Sequence, residues 1–240
     1  MKKHIPNIIT SLNLTSGFIA ILFAANGDLI TASWMILAAM IFDFLDGFSA
    51  RLLKAYSEIG KELDSLADVV SFGVAPGFII YQLLNLSLAT SGPSFTDSVS
   101  LKYTLILFLP AVMPALAAIR LAIFNIDTTQ ATTFKGLPTP ANALAVISVV
   151  IAGHYSETPL FHSFTESPLS IILFTLVLSL LMVSRIPLLS LKVTNLKFKG
   201  NEGRYILVGQ IILVFIIFGI GAAPLIIPIY ILSSFLALLF

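Results

Sequence analysis

Long apolar runs broken by short polar stretches dominate this chain. They fall at Ile5–Ala25, Leu29–Gly47, Leu66–Leu88, Leu101–Phe124, Thr139–Tyr155, Leu169–Ser184, Tyr205–Gly221 and Leu225–Phe240. Most approach the roughly 20 residues that an α-helix needs to cross a bilayer. None shows the alternating ten-residue pattern of a barrel strand, so helices that satisfy their own backbone are predicted. Only Ala222-Ala223-Pro224 divides the last two runs, which predicts a tight turn or a kink there. Pro110 and Pro114 predict a kink in the fourth run. The Ser-, Thr-, Gly- and Pro-bearing stretch Asn85–Ser100 reads as the longest outer loop, and Leu191–Gly203, with three lysines, as a basic cytoplasmic loop.

Composition agrees with this layout. The chain has 240 residues, 58% of them hydrophobic and 10% charged, with a mean hydropathy of +1.01. Soluble domains carry roughly 25% charge, so too few charges remain to coat a water-soluble globule. The sequence therefore predicts an all-α integral membrane protein, a polytopic helical bundle of about eight transmembrane helices. Cysteine is absent, which excludes disulfides, thiolate nucleophiles and Cys-ligated metal. A net charge of +1 without a basic, aromatic-lined stripe predicts no nucleic-acid partner. His4, His154 and His162 are too dispersed to suggest a histidine metal site. The Lys2-Lys3-His4 start resembles a signal peptide only superficially, because the run behind it is long enough to span and carries Pro6, Asn7, Thr10 and Asn13.

The basic residues orient the bundle. With the N-terminus in the cytoplasm and eight alternating spans, Lys102 alone of the 13 Lys and Arg falls outside. An excess of Lys and Arg in cytoplasmic loops is the bias expected of a correct topology.

The chemistry concentrates in Asp43-Phe-Leu-Asp46-Gly47-Phe-Ser-Ala50-Arg51 and Gly60-Lys-Glu-Leu-Asp64-Ser-Leu-Ala-Asp68. Asp43, Asp46, Gly47 and Ala50 share one helical face, as do Gly60, Asp64 and Asp68, with Ser57 one turn earlier. A short cytoplasmic connection brings the two faces together at one membrane surface. Four carboxylates repel one another near lipid unless a cation compensates. Hard oxygen donors suit Mg2+ or Mn2+, and Asp43 with Asp64 could bridge two ions at the ~3.5–4 Å of two-metal phosphoryl sites. Small residues on the same faces admit a substrate phosphate, and Arg51 offers a planar donor fork.

The pattern Asp-x2-Asp-Gly-x2-Ala-Arg-x8-Gly-x3-Asp-x3-Asp, matched here at every position, resembles the signature of the CDP-alcohol phosphatidyltransferases. Further stretches, Ile5-Pro6-Asn7-Ile8-Ile9-Thr10, Ser71-Phe72-Gly73-Val74-Ala75-Pro76, Arg120-Leu-Ala-Ile-Phe-Asn125 and Gly136-Leu-Pro-Thr-Pro140-Ala, resemble the serine-accepting branch of that family. Where that branch usually has a second arginine after Arg-Leu-Ala, this chain has Ile123.

The resemblance implies a six-helix catalytic core within residues 1–190, followed over 191–240 by the basic loop and two further spans. It implies two divalent cations, Mg2+ or Mn2+, one held by Asp43, Asp46 and Asp64 and the other by Asp43, Asp64 and Asp68. Asp68 would also accept the proton of the attacking hydroxyl. Gly47, Ala50, Arg51, Ser57 and Gly60 would line the CDP-diacylglycerol site, with Asn7 and Thr10 closing the nucleotide pocket. Asn13 and Gly17 continue the same stripe and fit helix packing equally well. The implied acceptor is L-serine, whose carboxylate would find Arg120 and Lys135, with a hydrogen bond from Asn125. A homodimer in the cell membrane, with its N-terminus and active site at the cytoplasmic face, completes the expectation. Glycerol 3-phosphate or inositol phosphate is the alternative acceptor. A cation transporter using intramembrane carboxylates is the alternative of another class.

Overall fold

A computed structural model describes residues 4–90, 101–127, 134–156, 159–189 and 201–237. The predicted outer-loop residues 91–100 and most of the predicted basic loop, 190–200, lie outside the described residues.

The described chain is a helical bundle. Helix α1 (Ile5–Ala25) packs along α2 (Leu29–Leu52), joined by a turn at Asn26–Asp28. The Asp28 side chain caps α2 by accepting from the Thr31 N–H at 3.0 Å, and its hydrogen bonding with Thr31 holds the carboxyl below its ordinary range. Helix α2 continues past Gly47, where the apolar run ends, so Ala50 and Arg51 sit on its last turns. It stops in a Schellman turn in which Lys54 takes φ 49° and the Ala55 N–H reaches the Ala50 carbonyl at 2.9 Å.

The third run is one continuous but irregular helix. Its first part, α3 (Glu58–Asp68), carries the second half of the acidic motif, and Ser57 caps it through the Gly60 N–H at 3.0 Å. A π turn over Val69–Val74 follows, then α4 (Ala75–Thr90). The helix therefore continues through Asn85–Thr90, the start of the stretch read as loop. π turns commonly mark functional sites, and this one, with the first turn of α4, presents Gly73 and Gly77 to the next span. A Cβ on Gly73 would meet the Ala117 Cβ at 3.0 Å, and one on Gly77 would meet the Pro114 Cδ at 3.2 Å. The Gly73-Val-Ala-Pro-Gly77 stretch is thus a close backbone contact.

The fourth run is divided as its prolines predict. Helix α5 (Leu101–Leu107) ends in a 3-10 turn over Leu109–Ala111, and α6 (Val112–Ile126) follows. Pro110 has no N–H with which to continue an α-helix, whereas Pro114 sits in the tolerant first turn of α6. The remaining elements are α7 (Thr139–Tyr155), α8 (Pro159–Glu166), α9 (Pro168–Val183), α10 (Glu202–Phe218) and α11 (Ile226–Ala237). The short α8 has no counterpart among the apolar runs. A 3-10 segment over Gly219–Leu225, entered through Gly219 at φ 56°, turns α10 back onto α11. A two-residue antiparallel ladder joins β1 (Phe134–Lys135) to β2 (Pro187–Leu188).

Five helical stretches among the described residues are long and apolar enough to cross a membrane, while α7 and α9 are shorter apolar helices. Trp34, Phe44, Ile216 and other large apolar side chains face outward, as a multi-pass membrane protein requires.

Candidate active site

The polar stripe of α1 organises the acidic end of the bundle. Three of its residues meet three separate points of the motif. Asn7 lies against Gly60, where a Cβ would come within 3.0 Å of the Asn7 Oδ1. The Thr10 hydroxyl donates to Asp46 Oδ2 at 2.6 Å, and Asn13 Nδ2 donates to Asp68 Oδ1 at 3.3 Å. Gly17 is a packing position: a Cβ there would come within 2.7 Å of the Ser71 Cα. Ser71 in turn donates to the Asn13 carbonyl at 3.0 Å, fixing the π turn to α1. Asn13 therefore holds Asp68, a role that differs from both readings of the stripe, nucleotide contact and helix packing.

Asp43, Asp64 and Asp68 converge, each offering a carboxylate oxygen within 4.8 Å of the others. Asp68 is 8% exposed, and Asp64 Oδ1 is buried without a hydrogen-bond partner. Three converging carboxylates with an unpartnered oxygen form the hard donor set that suits a divalent cation. This cluster can hold a metal ion. Asp46, the fourth predicted ligand, stands outside this converging group, within electrostatic reach of Asp43 and Asp64 and with its Oδ2 accepting from Thr10.

The motif's small residues divide in two. Gly47 faces open space, with only the Arg51 Nη2 within 4.0 Å of where a Cβ would stand, so a phosphate could approach the backbone there. Gly60 is closed by Ser57 and Asn7. The Arg51 Nε donates to the Gly47 carbonyl at 3.0 Å, which lays the guanidinium along the same helix end.

Two cavities carry the other site candidates. The larger, about 1030 Å3, runs between α2, α7, α10 and α11, with Asp43 and Arg51 on its wall and Phe44, Leu144, Ile211 and Tyr230 among its apolar lining. The smaller, about 480 Å3, is lined by Arg120, Lys135 and Arg185 together with Asp127 and Ile123. Arg120 is 7% exposed, its Nε is buried without a hydrogen-bond partner, and its guanidinium lies 5.6 Å from the centre of the Phe124 ring. It also lies within electrostatic reach of Asp68. Lys135 pairs with Asp127 at 3.1 Å.

Arg185 is a site candidate that the sequence reading passed over. Its signal was its position at the end of the sixth apolar run, on the same face as Arg120 and Lys135. Asn125 is engaged elsewhere: its Nδ2 donates to Ser65 Oγ at 2.8 Å and its carbonyl accepts from Lys61 Nζ at 3.1 Å. It thus ties α6 to α3. Ile123, in place of the second arginine, lies on the wall of the smaller cavity.

Comparison with known proteins gives a consistent picture. Over 206 residues the chain is 34% identical to the CDP-diacylglycerol–serine O-phosphatidyltransferase of Helicobacter pylori strain J99, covering 85% of this chain and 77% of that one. The Bacillus subtilis protein of the same name is 33% identical over 184 residues, 77% of this chain and 89% of its own length. The archaetidylserine synthase of Methanothermobacter thermautotrophicus is 36% identical over 155 residues, 64% of this chain and 60% of its own. The sequence model of the CDP-alcohol phosphatidyltransferases matches residues 3–192, a stretch that includes the three converging carboxylates and the α1 stripe that braces them. With most of its length matched, the chain belongs to the CDP-alcohol phosphatidyltransferase family.

Proposed function

We propose that this chain transfers the phosphatidyl group of CDP-diacylglycerol to L-serine, giving phosphatidylserine and CMP. The observation that carries the reading is the convergence of Asp43, Asp64 and Asp68, with Asp43 on the wall of a large apolar cleft and Asp68 within electrostatic reach of Arg120, which lines a small basic cavity. The names of the relatives supply the acceptor.

The division of the site suits the two substrates. A diacylglycerol moiety needs apolar surface, and the cleft walled by Phe44, Leu144 and Ile211 offers it beside Asp43 and Arg51. The pyrophosphate then lies against the open face of Gly47 and the Arg51 fork, which suits phosphate oxygens. Ala50, Ser57, Gly60, Asn7 and Thr10 frame the nucleotide end. Serine has a carboxylate, and Arg120, Arg185 and Lys135 supply its counter-charge, with the buried Arg120 Nε as a donor seeking an acceptor. A carboxylate on a buried guanidinium makes a strong charge-assisted pair.

The serine hydroxyl oxygen attacks the lipid-side phosphorus. A new O–P bond forms, the bond to the CMP oxygen breaks, and CMP carries that electron pair away. Asp68 accepts the hydroxyl proton, with Asn13 orienting its carboxylate. Asp43, Asp64 and Asp68, with Asp46 beside them, would hold two divalent cations, Mg2+ or Mn2+, which would supply positive charge against the pyrophosphate. The basic residues of this end, Arg51, Lys61, Lys135 and Arg185 among them, support a cytoplasmic face in the cell membrane.

The test is CMP release by the purified enzyme in vesicles containing CDP-diacylglycerol, with serine, glycerol 3-phosphate or inositol phosphate supplied separately. Release with serine alone is expected. Release with either phosphorylated acceptor but not with serine overturns the assignment.

A further inference from the structure

Helices α10 and α11 lie beyond the residues that the family comparison matches, yet they complete the larger cavity and reach towards the smaller one. Tyr230 on α11 makes the connection. Its ring lines the apolar cleft, and the residue is 4% exposed. Its hydroxyl donates to the Leu189 carbonyl at 2.9 Å. One turn along, Ser234 Oγ accepts from the Leu189 N–H at 3.0 Å and donates to the Tyr230 carbonyl at 2.7 Å. Both backbone polar groups of Leu189 are therefore held by α11.

Leu189 directly follows β2, whose partner strand carries Lys135 opposite Pro187. The Gly136 N–H donates to the Ile186 carbonyl at 2.9 Å, extending the same connection. Arg185 enters this segment and Lys135 sits across from it, and both line the basic cavity. The Tyr230 side chain is also within electrostatic reach of Arg120, the third cation there.

We propose that Tyr230 is a positioning residue for the acceptor, fixing through Leu189 the strand pair that presents Lys135 and Arg185 to the basic cavity. The proposal rests on the serine reading above. It assigns the C-terminal helix pair a part in acceptor recognition as well as in walling the lipid cleft. Replacing the hydroxyl alone separates these parts, because phenylalanine keeps the ring in the cleft and lets the Leu189 segment loosen.

The experiment compares full-length wild type, Tyr230→Phe and Ser234→Ala in vesicles, titrating serine and CDP-diacylglycerol in turn. Each variant loses one hydrogen bond to Leu189, so serine KM is expected to rise about fivefold while the donor KM changes less than twofold. An unchanged serine KM in both variants overturns the proposal. So does a common rise in both KM values together with a lower thermal midpoint, which would assign Tyr230 to packing alone. If wild type uses a different acceptor, the serine reading fails by itself, and the Tyr230 effect is read on the KM of the acceptor actually used.

Discussion

The apolar cleft at Asp43 and the basic cavity at Arg120 differ in the ways that matter to their occupants. One is about 1030 Å3, apolar, and touches the charged residues at Asp43 and Arg51. The other is about 480 Å3 and is framed by three cations, one of them buried. Burying an arginine is costly unless something pairs it, and Arg120, although within electrostatic reach of Asp68, keeps its Nε without an acceptor, so its environment suits a further anion. A cleft lined by Phe, Leu and Ile gains nothing from a small zwitterion and much from an acyl chain. On the proposed reading, the shared motif equips the carboxylate cluster for phosphoryl chemistry, while the two differently lined cavities select the substrates brought to it.

Substitutions break or sharpen that contrast in graded ways. The largest effect is expected at the carboxylate cluster, where Asp68→Asn should lower kcat about 10²–10⁴-fold with both KM values little moved, read from initial rates of CMP release. Next comes the basic side. Arg120→Ala should raise serine KM about 10–100-fold and leave donor KM nearly unchanged, and a serine titration checks it. On the apolar side, Leu144→Trp should overfill the cleft and raise donor KM about fivefold without changing serine KM. Equal effects of Arg120→Ala and Leu144→Trp on both substrates would erase the division. The smallest effect is expected away from both cavities. Lys54→Gly removes a left-handed lysine and should raise stability by about 0.5–1 kcal/mol, seen as a higher thermal midpoint at unchanged turnover.

Much of the fold was legible because lipid imposes a simple rule on composition. Ile5–Ala25 and Thr139–Tyr155 have the same bounds as helices as they have as apolar runs. The rule reads hydrophobicity alone, and it misses helices that continue through polar residues. The last turns of α2, from Phe48 to Leu52, and all of α3 before Leu66 are polar or mixed because they carry the motif. The π turn at Val69–Val74 was invisible, since its residues are as apolar as any α-helical stretch. At the site, helical spacing brought out the convergence of Asp43, Asp64 and Asp68. It could not show that Thr10 would hold Asp46, that Asn125 would turn to Ser65, or that Arg185 would join Arg120. Those relations are set by tertiary contacts between distant segments, and no single-helix periodicity encodes them.

The most direct test of the central claim follows serine into lipid. Wild type and Asp64→Asn are supplied with CDP-diacylglycerol, labelled serine and Mg2+ or Mn2+, and CMP and labelled lipid are measured together. One labelled phosphatidylserine per CMP is expected in wild type, with loss of both after chelation and in Asp64→Asn. CMP released without serine entering lipid, or undiminished labelling by Asp64→Asn, would contradict the central claim.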